Sequence, residues 1–173
     1  MTSVIHPGIG KVSKTFDSVI CTAGGWAGGA VIDKDFATSV KLMNDMCTKS
    51  ALLTAHLASH YLDEDGLLVF TGASAVYEAP QPAMIGYSIA KTATHYLAQC
   101  MATRTEIPDT SKVVTILPET IDTPGNREGM PDADFDTWAK PEQIASLLKM
   151  WSNGENVPNN GAFMKLNVVN GSV

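Results

Sequence analysis

Four short apolar runs alternate with stretches of helical periodicity, and this alternation constrains the fold of the chain more than any other feature. Phe16-Asp17-Ser18-Val19-Ile20-Cys21-Thr22-Ala23 reads as a buried strand that stops at Gly24-Gly25, and the glycines continue as Trp26-Ala27-Gly28-Gly29. From Phe36 to Leu62 apolar residues recur at helical spacing (Val40, Met43, Cys47, Ala51, Ala55, Ala58, Leu62) with no Gly or Pro until Gly66, which predicts one long helix ended by that glycine. Gly66 to Gly72 reads as a second strand, followed by a Pro/Gly-bearing loop to Gly86 and a helix from about Tyr87 to Arg104. Val113–Leu117 is a third strand stopped by Pro118, Pro141–Trp151 a helix opened by a tolerated proline, and Phe163–Val169 a fourth strand. This order predicts an α/β fold: a Rossmann-like parallel sheet with helices on both faces.

The 173 residues support one domain, and 45% hydrophobic content suffices for a real core. No apolar run approaches the roughly 18 residues of a membrane span, and the start lacks the apolar stretch of a secretory signal. A cytosolic protein is the expectation. Cys21, Cys47 and Cys100 are odd in number and widely spaced, so free thiols are expected rather than disulfides or zinc. Net charge is −6 with no Lys/Arg stripe, which argues against a nucleic-acid partner and for a small-molecule ligand.

Open parallel sheets bind ligands beyond the carboxyl ends of their strands. Those segments here are Ala23–Gly29, Gly72-Ala73-Ser74 and Pro118–Pro124. Tyr87-Ser88-Ile89-Ala90-Lys91 sets a phenol and an ammonium four residues apart, one turn from each other on one helix face. A neighbouring cation favours the phenolate and is expected to draw a tyrosine of pKa ~10 toward working range. Alone, Tyr-x-x-x-Lys is a weak signal, since a surface lysine beside a half-buried tyrosine is common.

The motif stands in company. A strand ending Thr22-Ala23-Gly24-Gly25, a second ending near Ser74, Tyr87 and Lys91 on the next helix, and a Pro-x-x-x-x-Thr turn after the third strand resemble the short-chain dehydrogenase/reductase family in order and spacing. The chain is similar to the branch that reduces pterins in Ala23-Gly24-Gly25-Trp26-Ala27-Gly28-Gly29, Met84-Ile85-Gly86-Tyr87 with Ala90-Lys91, Leu117-Pro118, Asp122-Thr123-Pro124 with Asn126-Arg127, and Met130–Phe135. The likeness runs from roughly Phe16 to Gly171, and Gly-Gly-Trp-Ala-Gly-Gly is its most specific part.

The resemblance implies reduction of quinonoid dihydropterin to tetrahydropterin by NADH or NADPH, in a homodimer formed through the long helices. Tyr87 would give the proton, and Lys91 would hold the cofactor ribose and lower the tyrosine pKa. Ala23 and Gly24 would lie against the adenosine side and Thr123 against the nicotinamide amide, with Gly25 and Pro118 also contacting the cofactor. Trp26, Ala73 and Tyr87 would contact the pterin, the indole face suiting a flat heterocycle, with a core aromatic under a loop as the alternative for Trp26.

The chain also departs from the family. Met46 stands where an Asn often completes a proton relay, and the usual serine falls on Ala73 by strand register, with Ser74 a possible substitute. The glycine turn that cradles a dinucleotide, Gly-x-x-x-Gly-x-Gly or Gly-x-Gly-x-x-Gly, is absent, and His6-Pro7-Gly8-Ile9-Gly10-Lys11 reads as part of a flexible leader over residues 1–15. Measured against the family, about three strands and their helices are missing. Residues 16–173 correspond to its C-terminal portion, whether the gene product is truncated or the sequence omits part of the natural protein. Two alternatives follow: a non-catalytic interaction module, or a carbonyl reductase of the same fold.

The remaining features have plain readings. His56 and His60 lack a third metal ligand and read as a helix face, and no metal is expected. His95, four residues after Lys91, reads as packing or solvent-facing. Met43, Met46, Met101 and Met150 read as core or dimer-face packing, and Asp132, Asp134 and Asp136 as a surface turn.

Overall fold

The computed structural model describes residues 15–103 and 106–168. The expected leader lies outside the described residues apart from Thr15, as do Arg104 and Val169 at two expected element ends. Four parallel strands lie in the order β1-β2-β3-β4: β1 Phe16–Cys21, β2 Leu62–Thr71, β3 Lys112–Pro118 and β4 Ala162–Leu166. In register, Ser18–Cys21 pair with Leu67–Phe70, which in turn pair with Lys112–Thr115, and Val114–Pro118 pair with Ala162–Leu166.

Strand alternation divides the core. Leu68, Phe70, Val113 and Cys21 face two helices, α2 (Lys49–Tyr61) and α4 (Ile85–Ala102), through Ala51, Ala55, Ala58, Ala98 and Met101. Small alanines on that stripe let α2 lie close to the sheet. Leu67, Val69, Val114 and Ile116 face the other way and are covered by Ile144, Leu148 and Trp151 of α6 (Pro141–Ser152). Helices therefore cover both faces, as the alternation of runs predicts.

The expected single helix from Phe36 to Leu62 is divided. Helix α1 (Phe36–Met43) passes through a π turn at Asn44–Thr48, closed by the Lys49 N–H on the Asn44 carbonyl, before α2 begins. Such turns insert one residue into the helical ladder and re-aim its side chains. Here the turn carries Cys47 inward, where its thiol donates to the Gly25 carbonyl at 3.5 Å. Gly66 does not end the helix. The chain leaves α2 at Tyr61 directly into extended backbone at Leu62, and Gly66 sits in an irregularity of β2 beside Asp65, which has φ 60°. A Cβ at Gly66 would lie 2.7 Å from the Asp63 carbonyl oxygen, so the glycine serves a tight strand bend.

Two short helices stand where loops are expected, α3 (Ser74–Glu78) and α5 (Pro124–Gly129). The second carries a start signal in its sequence. Thr123 caps it by accepting the Asn126 N–H at 3.2 Å, and Pro124 occupies the first helical position.

Candidate active site

The carboxyl ends of β1, β2 and β3 meet the N-terminal half of α4, and hydrogen bonds fix how they meet. The glycine segment after β1 is tied to the start of α4 from both sides. Gly29 N–H donates to the Ala83 carbonyl at 2.9 Å, and Ile85 N–H donates to the Gly29 carbonyl at 3.1 Å. Gly29 has φ +134°, a conformation that favours glycine at this turn. Lys91 thereby projects from α4 toward the strand ends, and Tyr87 packs beside Met43, Cys47 and Ala90.

Lys91 is buried, and its ammonium donates to the Thr71 carbonyl at 2.9 Å while lying 5.8 Å from the Tyr87 ring centroid. A Cβ on Gly24 would stand 3.6 Å from both Lys91 Nζ and Cys47 Sγ. Thr71 Oγ1 donates to the Cys21 carbonyl at 2.8 Å, which joins the ends of β1 and β2 beneath the ammonium. The fold thus brings Gly24, Lys91 and Tyr87 close together.

The electrostatics differ from expectation. Burial pushes the Tyr87 phenol up to about 12, with the Cys47 thiol adding to the rise. Burial also pushes Lys91 below its ordinary value. The phenol is therefore raised rather than lowered as expected, because burial penalises the phenolate more than anything nearby favours it.

Trp26 is 64% exposed, so it is no core aromatic. Its indole N–H donates to Met84 Sδ at 3.3 Å, and a Cβ on Gly28 would lie 3.3 Å from its ring, so the side chain rests on the loop close to the start of α4. Ala73 and Ser74 are both buried at the end of β2. Ser74 Oγ is engaged with Glu78 Oε1 at 3.2 Å, whereas Ala73 offers its amide to His95 Nε2 at 3.2 Å. Pro118 ends β3 on the same edge, and Thr123 follows it as the α5 cap. Among the described residues neither is hydrogen-bonded to Tyr87 or Lys91.

Sequence reasoning missed Cys47 and His95. Cys47 supports the glycine loop from the π turn. His95 is buried beside Gly72, and its only sequence signal is its place on the Tyr87–Lys91 stripe. Cys21 and Cys47 are buried free thiols and Cys100 an exposed one. Among the described residues no group of three or more His, Cys, Asp or Glu is placed to hold a metal ion, and no helix is long and apolar enough to cross a membrane.

The site fits a dinucleotide ribose. Thr22, Ala23 and Gly24 are exposed, with little side chain to obstruct a ligand. Among the described residues the one hydrogen bond of Lys91 goes to Thr71, and an ammonium carries three donors, leaving two for a diol.

Comparison with known proteins places these features in context. The chain is 40% identical over 159 residues to a dihydropteridine reductase of Dictyostelium discoideum, which covers 91% of this chain and 68% of that protein. The oxidoreductase yciK of E. coli superposes with TM-score 0.74 at 17% identity, over 91% of this chain and 64% of its own. A short-chain dehydrogenase from Shigella flexneri, solved with NADP, gives TM-score 0.73 at 17% identity, over 91% and 65%. The chain thus spans less than two thirds of the length of these two solved structures. No family model matches it.

Proposed function

The chain belongs to the dihydropteridine reductase branch of the short-chain dehydrogenase/reductase family, and we propose that it reduces a quinonoid dihydropterin to the tetrahydropterin with NADH or NADPH, in the cytosol. The observation that carries this reading is the position of Lys91, whose ammonium lies close to both Gly24 and the Tyr87 ring while the Thr71 carbonyl holds it in place.

When bound, the nicotinamide cofactor supplies the hydride. The rest falls to this chain. Lys91 directs its two remaining N–H donors at the ribose, and Ala23, Gly24 and Gly25 give the adenosine side a floor of bare backbone. Pro118 and Thr123 border the nicotinamide side. The exposed indole of Trp26 offers a flat apolar face to the pterin, and Ala73 lines the same end of the sheet.

Tyr87 gives a proton to the ring nitrogen of the pterin that gains electron density as the hydride arrives, so one hydride and one proton complete a two-electron reduction. With its phenol pushed up to about 12, Tyr87 stays protonated throughout the neutral range but is a weak acid, and it gives its proton only as the arriving hydride makes the ring nitrogen basic. Solvent then restores the proton. A quinonoid ring is a reactive acceptor, which suits a site with Ala73 in place of a polarising serine.

The helices also suggest a homodimer. Leu42, Leu52, Leu53, Ile89 and Tyr96 are exposed apolar residues on α1, α2 and α4.

Offering NADH or NADPH to the purified chain with quinonoid dihydropterin, and in parallel with simple ketones, tests the proposal. Cofactor oxidation that depends on the dihydropterin supports it. Faster reduction of ketones overturns the pterin assignment, and pterin binding without cofactor oxidation overturns the proposed turnover.

A further inference from the structure

Tyr87, Lys91 and His95 follow one another at four-residue intervals along α4 and form a single stripe. The last two members of that stripe grip the end of β2 from either side of Gly72. Lys91 donates to the Thr71 carbonyl at 2.9 Å, and His95 Nε2 accepts the Ala73 N–H at 3.2 Å. The Gly72 N–H between them donates to the Ile116 carbonyl of β3 at 2.9 Å. We infer that His95 is a positioning residue, which fixes the Gly72–Ala73 turn on the pterin side of the site by accepting the Ala73 amide proton. The kinetic part of this inference rests on the proposed reductase reading, whereas the hydrogen bond does not.

Three further features support the assignment. His95 is 8% exposed and held edge-on by Tyr77, at 5.9 Å between ring centroids, and by Phe163, at 5.6 Å. Tyr77 and Phe163 stack on each other at 5.2 Å, so the imidazole is clasped by a pair of rings rather than merely buried. A Cβ at residue 72 would stand 2.4 Å from Nε2, and only glycine admits the ring at this distance.

The chemistry of the bond fixes the tautomer. To accept from an amide, Nε2 must carry its lone pair, so the neutral ring bears its proton on Nδ1. A buried amide that loses such an acceptor has no water to replace it, and the turn must move to find another partner. The side chain of Ala73 is a methyl, with neither donor nor acceptor. With no side-chain donor there, the backbone of the turn is what this site presents, and holding it becomes the task of α4.

The test has two independent parts. In uniformly labelled wild-type protein at neutral pH, nitrogen NMR should find Nε2 unprotonated and coupled through the hydrogen bond to the Ala73 amide nitrogen. A proton on Nε2, or no coupling, overturns the assignment whatever the activity. Kinetically, His95→Leu should raise KM for quinonoid dihydropterin by about 5-fold or more while NADH affinity stays within about 2-fold, as expected for one buried donor left unpaired next to one ligand only. His95→Gln, whose amide oxygen can accept the same proton, should recover most of the loss.

Equal weakening of both ligands in His95→Leu, or no rescue by Gln, reduces His95 to a packing residue. If His95→Leu does not fold, the Gln variant and the wild-type coupling still decide. A wild-type chain that neither binds nor reduces pterin refutes the reductase reading, and the coupling then decides the role of His95 by itself.

Discussion

The Lys91 ammonium lies 2.9 Å from the Thr71 carbonyl oxygen, so a cation on the second turn of α4 is anchored to the last residue of β2. The bond aims the remaining donors of Lys91 toward the exposed backbone at Gly24. Replacing Lys91 with Met keeps the length of the side chain and removes the donors. NADH affinity measured by titration should fall by about 10-fold or more, since hydrogen bonds from a charged group are worth about 1.5–3 kcal/mol each. Unchanged affinity in a folded Lys91→Met protein removes Lys91 from the cofactor site.

Tyr87→Phe removes only the hydroxyl. Turnover should fall by at least about 10-fold with NADH affinity nearly intact, because a general acid contributes about 10²–10⁴-fold and the ring remains in place. Steady-state kinetics set beside a cofactor titration separates the two effects. Wild-type turnover in the variant would show that the proton comes from elsewhere.

His95 predicts an acid-side loss of stability. Burial first, and the Lys91 charge second, push it from its ordinary 6.5 to about 4. Between those values the unfolded chain binds a proton that the folded chain refuses. Its contribution is therefore complete above about pH 6.5 and is lost as the pH falls through about 4, amounting to about 3 kcal/mol at most. Urea unfolding at a series of pH values should show this slope in the wild type and a shallower one in His95→Gln.

Gly72→Ala sets a methyl 2.4 Å from His95 Nε2 and 2.7 Å from Leu117 Cδ2. Overpacking of this kind costs about 1–3 kcal/mol. Gly125→Ala meets nothing within 4 Å and serves as the control, with stability within about 0.5 kcal/mol of the wild type. Equal stability of the two variants would mean that the imidazole does not need the space at Gly72.

Much of this arrangement is legible in the sequence. The four strands announce themselves as apolar runs, and the approach of Lys91 to the strand ends follows from helix spacing and parallel-sheet topology. What is not legible depends on contacts distant in sequence. The π turn hides in Asn44–Thr48, where apolar Met46 and Cys47 satisfy a helical period whether or not a residue is inserted. Gly66 looks like a helix stop because a strand bend and a helix end use the same residue. The rise of the Tyr87 pKa reflects burial, which the four-residue spacing to Lys91 does not encode. His95 finds its partner 22 residues away, in an amide that every residue but proline possesses. The cap of α5, by contrast, was available in Thr123-Pro124.

In the proposed function the carboxyl edge of this sheet holds a nicotinamide cofactor next to a pterin face provided by Trp26. Titrating NADH into the chain while following tryptophan emission, in the wild type and in Trp26→Phe, tests it most directly, because Trp26 is the exposed indole beside the site. Saturable quenching at micromolar cofactor that is largely lost in Trp26→Phe is the predicted result. No saturable quenching up to millimolar NADH would contradict the account.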